Sequence, residues 1–167
     1  KMEIFTTRPD TIFGVSFMVI APEHDLALSL ATDENRAKVE EYVTWAKNRS
    51  DVARMAEKKV SGQMTGSYAI NPFTKERIPI FIADYVLIGY GTGAIMAVPA
   101  HDSRDFAFAR HFNLPISQVV AKEGAEIVPT DQWTESFDSK DGILMNSYFL
   151  NGLRVKQAIK AMNDRIE

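Results

Sequence analysis

An α+β fold, with a mixed, barrel-like sheet surrounded by helices, is predicted by three features of the sequence. Strand-like and helix-like stretches mix without a regular strand–helix–strand rhythm, which argues against a doubly wound parallel sheet. The strand candidates crowd the middle of the chain, whereas amphipathic segments lie before and after them. With 167 residues and 46% of them hydrophobic, the chain can build the core that such a fold needs.

Taken in order, Met2 to Thr6 reads as a short strand. Pro9 to Phe13 reads as one helical turn, because proline presets φ at a first helical position and Gly14 can end the turn. Val15 to Ile20 is apolar and β-rich, hence a buried strand ended by Pro22. Asp25 to Ala31 suits a short helix. Asp33 to Arg49 suits a longer one, with Val39, Tyr42, Val43 and Ala46 at helical spacing. Asp51 is a candidate cap for a further helix reaching about Lys59, after which Gly62 and Gly66 mark a loop. Tyr68 to Asn71, Arg77 to Ala83 and Tyr85 to Ile88 are strand candidates, the first two joined by a turn at Asn71 to Glu76. Ala94 to Val98 is a small apolar strand behind Gly91-Thr92-Gly93 and is ended by Pro99. Asp102 to Phe112 is a helix, Val119 to Lys122 and Ile143 to Asn146 are strands, and Leu153 to Ile166 is a closing amphipathic helix. The polar stretch Glu123 to Lys140 is the expected mobile excursion.

Composition excludes several classes of function. There are no cysteines, so disulfides, thiolate metal sites and a cysteine nucleophile are ruled out. His24, His101 and His111 are too scattered to suggest a zinc site, and neither metal nor cofactor is called for. No run of about 18 apolar residues exists to span a membrane. The opening Lys1-Met2-Glu3-Ile4-Phe5 lacks the shape of a signal peptide, so the expected setting is cytoplasmic. A net charge of −3 is wrong for a domain that grips long nucleic acid alone. Contact with a short RNA end that is already tethered stays open, because tethering raises effective concentration.

Three clusters can carry chemistry. Thr6-Thr7-Arg8-Pro9-Asp10-Thr11 joins hydroxyls, a guanidinium and a carboxylate at a strand end. The hydroxyls can bind ribose oxygens or orient a water, and Arg8 can meet a phosphate in fork geometry. The plain structural alternative is a capped turn with Arg8 in a surface ion pair. Tyr90-Gly91-Thr92-Gly93 places glycines before a strand, where the backbone can approach a ligand; the alternative is a bare turn or bulge. In His101-Asp102-Ser103-Arg104-Asp105, the two carboxylates stand three apart at a helix start. Asp102 fits an N-cap and Asp105 the N3 position of a box-like arrangement, near the positive end of the helix. Alternatively, one of them holds a substrate ammonium group. A Ser103–His101 nucleophile is rejected, because sequence neighbours seldom face each other productively and no nucleophile elbow surrounds Ser103. Tyr42 and Trp45 suit packing better than base stacking.

The order and wording of these clusters carry more than each alone. The string TTRPDTIFG at 6–14 resembles the threonine-rich signature of the editing domains of class I synthetases for leucine, isoleucine and valine. The string YGTGAIMAVPAHDSRDFAFA at 90–109 resembles their second signature, and its Met96-Ala97-Val98-Pro99 and His101-Asp102-x-x-Asp105 wording is the leucine version. The likeness extends through Glu57-Lys58-Lys59, Pro79 to Ala83 and Asn151-Gly152-Leu153, and is weakest in 23–55 and 123–140. Neither the HIGH-type nor the KMSKS-type signature of an aminoacylation site is present. The resemblance therefore implies one editing domain over 1–167, an insert of a longer synthetase and monomeric, that does not itself charge tRNA.

The resemblance also implies roles. Asp105 would hold the α-ammonium of the misattached amino acid, and Asp102 would help hold the loop of Asp105. Thr11 would crowd the side-chain pocket against leucine. Thr6 and Thr7 would lie near the reacting ester and ribose, and Arg8 near the terminal adenosine. Tyr90, Met96 and Val98 would line the pocket, with Gly91, Thr92 and Gly93 shaping it and His101 beside the substrate. The implied reaction is hydrolysis of the aminoacyl ester of mischarged tRNA(Leu) carrying isoleucine, norvaline or methionine. Its implied partners are the 3′-terminal adenosine, an aminoacyl-adenylate as a further candidate, and the rest of a parent synthetase. The rival readings are a noncatalytic module for tRNA 3′ ends, a free-standing trans-editing factor and, more distantly, a small-molecule amidohydrolase.

Overall fold

The computed structural model describes all of residues 1–167. Two compact units make up the chain: Lys1–Phe5 with Phe17–Met96, and Thr6–Ser16 with Ala97–Glu167.

The first unit holds a four-stranded sheet in the order β2-β3-β1-β4. Its strands are β1 (Phe17–Ile20), β2 (Gln63–Ile70), β3 (Arg77–Ile82) and β4 (Ala94–Ala97), the last running over the boundary after Met96. Strand β1 is buried along its whole length, as its unbroken apolar run requires. It lies parallel to β3 with Met18 opposite Ile80 and Ile20 opposite Ile82, whereas β2 is antiparallel to β3. Helix α1 (Arg36–Lys47) buries Val39, Val43 and Ala46 on one face and packs on β2. The sheet is open, with β2 and β4 at its edges, so the α+β expectation holds and the barrel-like closure does not.

Local chemistry explains where the elements depart from expectation. Gly66 lies inside β2, not in a loop. It adopts φ +88°, and the register with β3 shifts between Met64 and Tyr68, the signature of a bulge. A Cβ on Gly66 would stand 2.3 Å from Thr32 Oγ1. Helix α2 (Asp51–Ala56) is capped by Ser50, whose hydroxyl accepts from Ala53 N at 3.1 Å, and not by Asp51. Residues 25–31 form turns in place of a helix, and His24 Nδ1 takes the Leu26 N–H at 3.0 Å.

Residues 85–88 form no strand. The carbonyls of Asp84 and Val86 are taken by the buried guanidinium of Arg54, at 2.9 Å from Nε and 3.0 Å from Nη2. Its Nη1 pairs with Glu23. Asp84 also accepts from Arg49 at 2.6 Å, and its N–H donates to Tyr42 Oη at 2.9 Å. Burial pushes the Tyr42 phenol up to about 12, so Tyr42 stays protonated and serves as a packing and hydrogen-bonding residue. Residues 2–6 likewise form no strand; Thr92 Oγ1 donates to Glu3 O at 2.9 Å.

The second unit opens with a 3-10 turn, Pro9–Gly14, as the proline and glycine signals predict. It continues with α3 (Ser103–Phe112), a two-stranded sheet of β5 (Val120–Ala121) and β6 (Ile143–Leu144), and α4 (Val155–Ile166). Helix α4 buries Val155, Ala158 and Met162 and packs against the Pro9–Gly14 turn. Ser16 N–H donates to Ala97 O at 3.1 Å and ties the two segments of this unit together. The polar stretch 123–140 is anchored at several points. Arg110 donates to the carbonyls of Thr130 and Trp133 at 2.7 and 2.8 Å, and Phe137 N–H donates to Ala100 O at 2.8 Å.

Candidate functional site

The second unit gathers most of the chemistry-bearing residues. Asp102 precedes α3 in an extended conformation, and its Oδ1 accepts from the N–H groups of Arg104 and Asp105 at 2.9 and 3.0 Å. This is the N-cap that the sequence predicts. One turn in, Asp105 is buried at 4% exposure, and its Oδ2 accepts from Val98 N–H at 3.0 Å. A charge-assisted bond of this kind fixes the carboxylate against the chain that leaves β4. A buried carboxylate needs donors or a cation to offset its desolvation, and the helix end adds a favourable field.

The Thr6–Thr11 segment is tightly tied. Thr6 Oγ1 accepts from Arg8 N at 3.0 Å, and Thr11 Oγ1 donates to Arg8 O at 2.9 Å. Thr11 is only 2% exposed, whereas Thr7 is exposed. Arg8 donates from Nε and Nη2 to the two oxygens of Asp10, each at 2.9 Å. Asp10 is fully buried at 0% exposure, so the ion pair of Arg8 is not the solvated surface pair that the sequence allows. The sequence does signal the pairing, as a carboxylate two residues after an arginine in a proline-led turn, but it gives the Asp10 carboxylate of that cluster no role of its own.

His101 is placed as a structural hub. Its Nε2 accepts from the N–H groups of Val119 and Val120, both at 3.0 Å. Nδ1 lies 2.9 Å from Phe137 O, which fixes the neutral tautomer with the proton on Nδ1. Both ring nitrogens are thus committed to the backbone, and neither is left for a substrate. Burial holds the imidazole below its ordinary proton affinity, with a backbone bond to Phe137 opposing. The unfolded chain takes up a proton on His101 below about pH 6.5, while the folded chain resists it. The stability this group contributes is therefore complete above that pH and is lost as the pH falls towards the depressed folded value. Thermal stability measured from pH 7.5 to 5.5 is expected to fall, and His101→Gln should flatten that slope. His101→Gln should also cost about 3 kcal/mol at pH 7.5, because buried amides lose their acceptor. An unchanged slope in that variant would count against the assignment.

Tyr90, Gly91, Thr92, Gly93 and Met96 belong to the first unit. Gly91 and Gly93 adopt φ +59° and +71°. A Cβ at Gly91 would lie 2.6 Å from Phe5 Cβ, so glycine is required there by packing and by conformation. The N–H of Gly93 is used by Tyr90 O at 3.2 Å, and its carbonyl accepts from Ala21 N at 2.8 Å. Thr92 Oγ1 is shared between Glu3 O and Ala94 O. Tyr90 is 65% exposed with its ring edge-on to Phe5, and Met96 is half-buried. No group of three or more histidines and carboxylates is arranged to hold a metal, and no helix is long and apolar enough to cross a membrane.

The comparisons with known proteins agree with these signatures. The family model described as "Leucyl-tRNA synthetase, editing domain" matches residues 1–167. The leucine–tRNA ligase of Porphyromonas gingivalis is 60% identical over 163 residues, covering 98% of this chain and 18% of that protein. That of Phocaeicola vulgatus is 52% identical over 177 aligned positions, covering 100% of this chain and 18% of that protein. Among solved structures, a crystal structure of the ternary complex of Agrobacterium radiobacter K84 agnB2 LeuRS, tRNA and LeuAMS matches with a TM-score of 0.62 and 37% identity. It covers 78% of this chain and 15% of that one. The chain thus spans less than a fifth of the length of these relatives. By signatures, fold and likeness along its whole length, the chain belongs to the leucyl-tRNA synthetase editing domain family.

Proposed function

We propose that this chain hydrolyses the ester that joins a wrong amino acid to the 3′-terminal adenosine of tRNA(Leu). The observation that carries the reading is Asp105: a buried carboxylate whose Oδ2 accepts from Val98 N–H, at the start of a helix capped by Asp102. Such a group suits the recognition of a substrate ammonium, since a buried negative charge is stabilised by an opposite one. Family membership supports an RNA partner and a larger synthetase as the setting of this reading.

In this reading water attacks the ester carbonyl, and the carbon–oxygen bond to the ribose breaks. The products are a free amino acid and a tRNA end with its hydroxyl restored. No protein nucleophile is needed. The work of the site is to orient water and ester and to stabilise the developing oxyanion. Thr6 and Thr7 orient ribose or water, Arg8 meets the terminal nucleotide, and Thr11 excludes leucine. Tyr90, Gly91, Thr92, Gly93, Met96 and Val98 are assigned to the substrate by resemblance. His101 acts behind the site through the backbone that it holds.

A second sieve is needed because a hydrophobic pocket separates side chains that differ by one methylene by only about 10- to 200-fold. The Thr11 hydroxyl bond to Arg8 O fixes its rotamer, so its methyl occupies a defined place. In a full-length ligase carrying this chain, Thr11→Ala is expected to hydrolyse Leu-tRNA(Leu) at least about tenfold faster than the parent, the scale of one steric contact. Continued sparing of leucine would sink the exclusion role. Binding of the RNA end with no release of isoleucine by the parent would favour a noncatalytic module.

A further inference from the structure

Arg8 is the most constrained residue of the Thr6–Thr11 segment. Its backbone sits at φ −128°, ψ 62°, on the extended side of the map to which the following Pro9 ring steers it. Its N–H is taken by Thr6 Oγ1, its carbonyl by Thr11 Oγ1 and by Thr11 N, and its side chain by Asp10. Pro9, between the pair, has φ set by its ring. The carboxylate of Asp10 is fully buried, and its hydrogen bonds in the structure all come from the Arg8 guanidinium. Two parallel bonds, Nε to Oδ1 and Nη2 to Oδ2, fix the plane of the guanidinium as well as its position. Nη1 remains without a protein partner, on a side chain that is still part-exposed.

We propose that Asp10 is a positioning residue of the editing reaction, which turns Arg8 from a mobile cation into an aimed, charge-neutralised set of N–H donors for one acceptor group of the RNA end. The proposal rests on the reading of this site as one for the terminal nucleotide. A free arginine on an exposed turn would attract any phosphate and hold it in many geometries. A paired one contributes little net charge, so it gains little from counterion release, and it rewards only an acceptor placed along its free N–H directions. Asp10 thereby trades general affinity for orientation, and orientation is what an ester hydrolysed by a positioned water requires.

The test uses Arg8→Ala, Asp10→Asn and the double variant in a full-length leucine–tRNA ligase that carries this chain as its editing domain. Asp10→Asn keeps the shape of the side chain and removes its charge. Two readouts are followed: single-turnover deacylation of Ile-tRNA(Leu), and the salt dependence of binding to a nonhydrolysable 3′-aminoacylamino tRNA end. Arg8→Ala and Asp10→Asn are each expected to slow deacylation by about tenfold, and the double variant to be no slower than either, because both remove one function. Asp10→Asn should also steepen the salt dependence, by a slope of about 0.7, the value for one extra phosphate neutralised on a single strand. A purely structural Asp10 would do neither: its loss would add to that of Arg8, and the salt slope would stay at the parental value. Either result, or full activity in Asp10→Asn beside a slow Arg8→Ala, overturns the proposal alone. Full activity in Arg8→Ala overturns the assignment of Arg8 and the proposal with it.

Discussion

Asp105→Asn is expected to lower the deacylation of Ile-tRNA(Leu) on the order of 100-fold, with the fold intact. Asparagine keeps a carbonyl oxygen able to accept from Val98 N–H, the bond seen at 3.0 Å, so the helix start should retain its local structure. What is lost is the negative charge. Charge-assisted hydrogen bonds contribute about 1.5–3 kcal/mol, and each 1.36 kcal/mol of transition-state stabilisation is tenfold in rate. An ammonium that loses this anchor leaves the ester free to wander from the attacking water, so the defect belongs in turnover as much as in binding. Single-turnover deacylation together with thermal melting provides the measurement. Parental turnover in a folded Asp105→Asn would exclude the ammonium role, and with it the centre of the functional reading.

The second large effect lies in the first unit. Arg54→Ala is expected to destabilise the chain by about 3–4 kcal/mol, because removing one partner of a buried ionic network strands the others. Arg54 is 3% exposed and holds the carbonyls of Asp84 and Val86 together with Glu23. Glu23 Oε2 already lacks a partner, so removal of the guanidinium leaves both oxygens of that part-buried carboxylate without a protein donor. For a chain of this length the loss corresponds to a fall in Tm on the order of 10 °C. A change within about 2 °C would mean that water or a rearranged neighbour substitutes for the guanidinium.

The sequence reveals most where one residue type acts through its own backbone. Pro9 and Gly14 bound their turn, Asp102 caps its helix, and the amphipathic stretch 153–166 forms α4, each as expected; of Val155, Ala158, Ile159 and Met162, which share one side by spacing, all but the half-buried Ile159 are buried. It reveals least where a distant side chain decides the outcome. Residues 85–88 have strand composition, but Arg54, some thirty residues earlier in the chain, claims the carbonyls that a neighbouring strand would need. Gly66 looks like loop punctuation and is a bulge, because the strand continues on both sides of it. Closure of the sheet is a property of edge pairing between β2 and β4, which no local pattern encodes. In the candidate site the same division holds. The carboxylates and threonines were legible as a wording. The burial of Asp10 and the commitment of both His101 nitrogens depend on residues that reach them through space.

The His101 ring has a bearing on how the chain is made. Its partners lie 18, 19 and 36 positions downstream. Synthesis runs from the N-terminus, so the ten residues of α3 are made before any of these partners, and a helix that short is marginal by itself. The imidazole that precedes it must wait for Val119, Val120 and Phe137 to be translated. Until then the corner that bears Asp105 is not locked, and an interrupted nascent chain ending between Val120 and Phe137 would lack the last of the three fastenings.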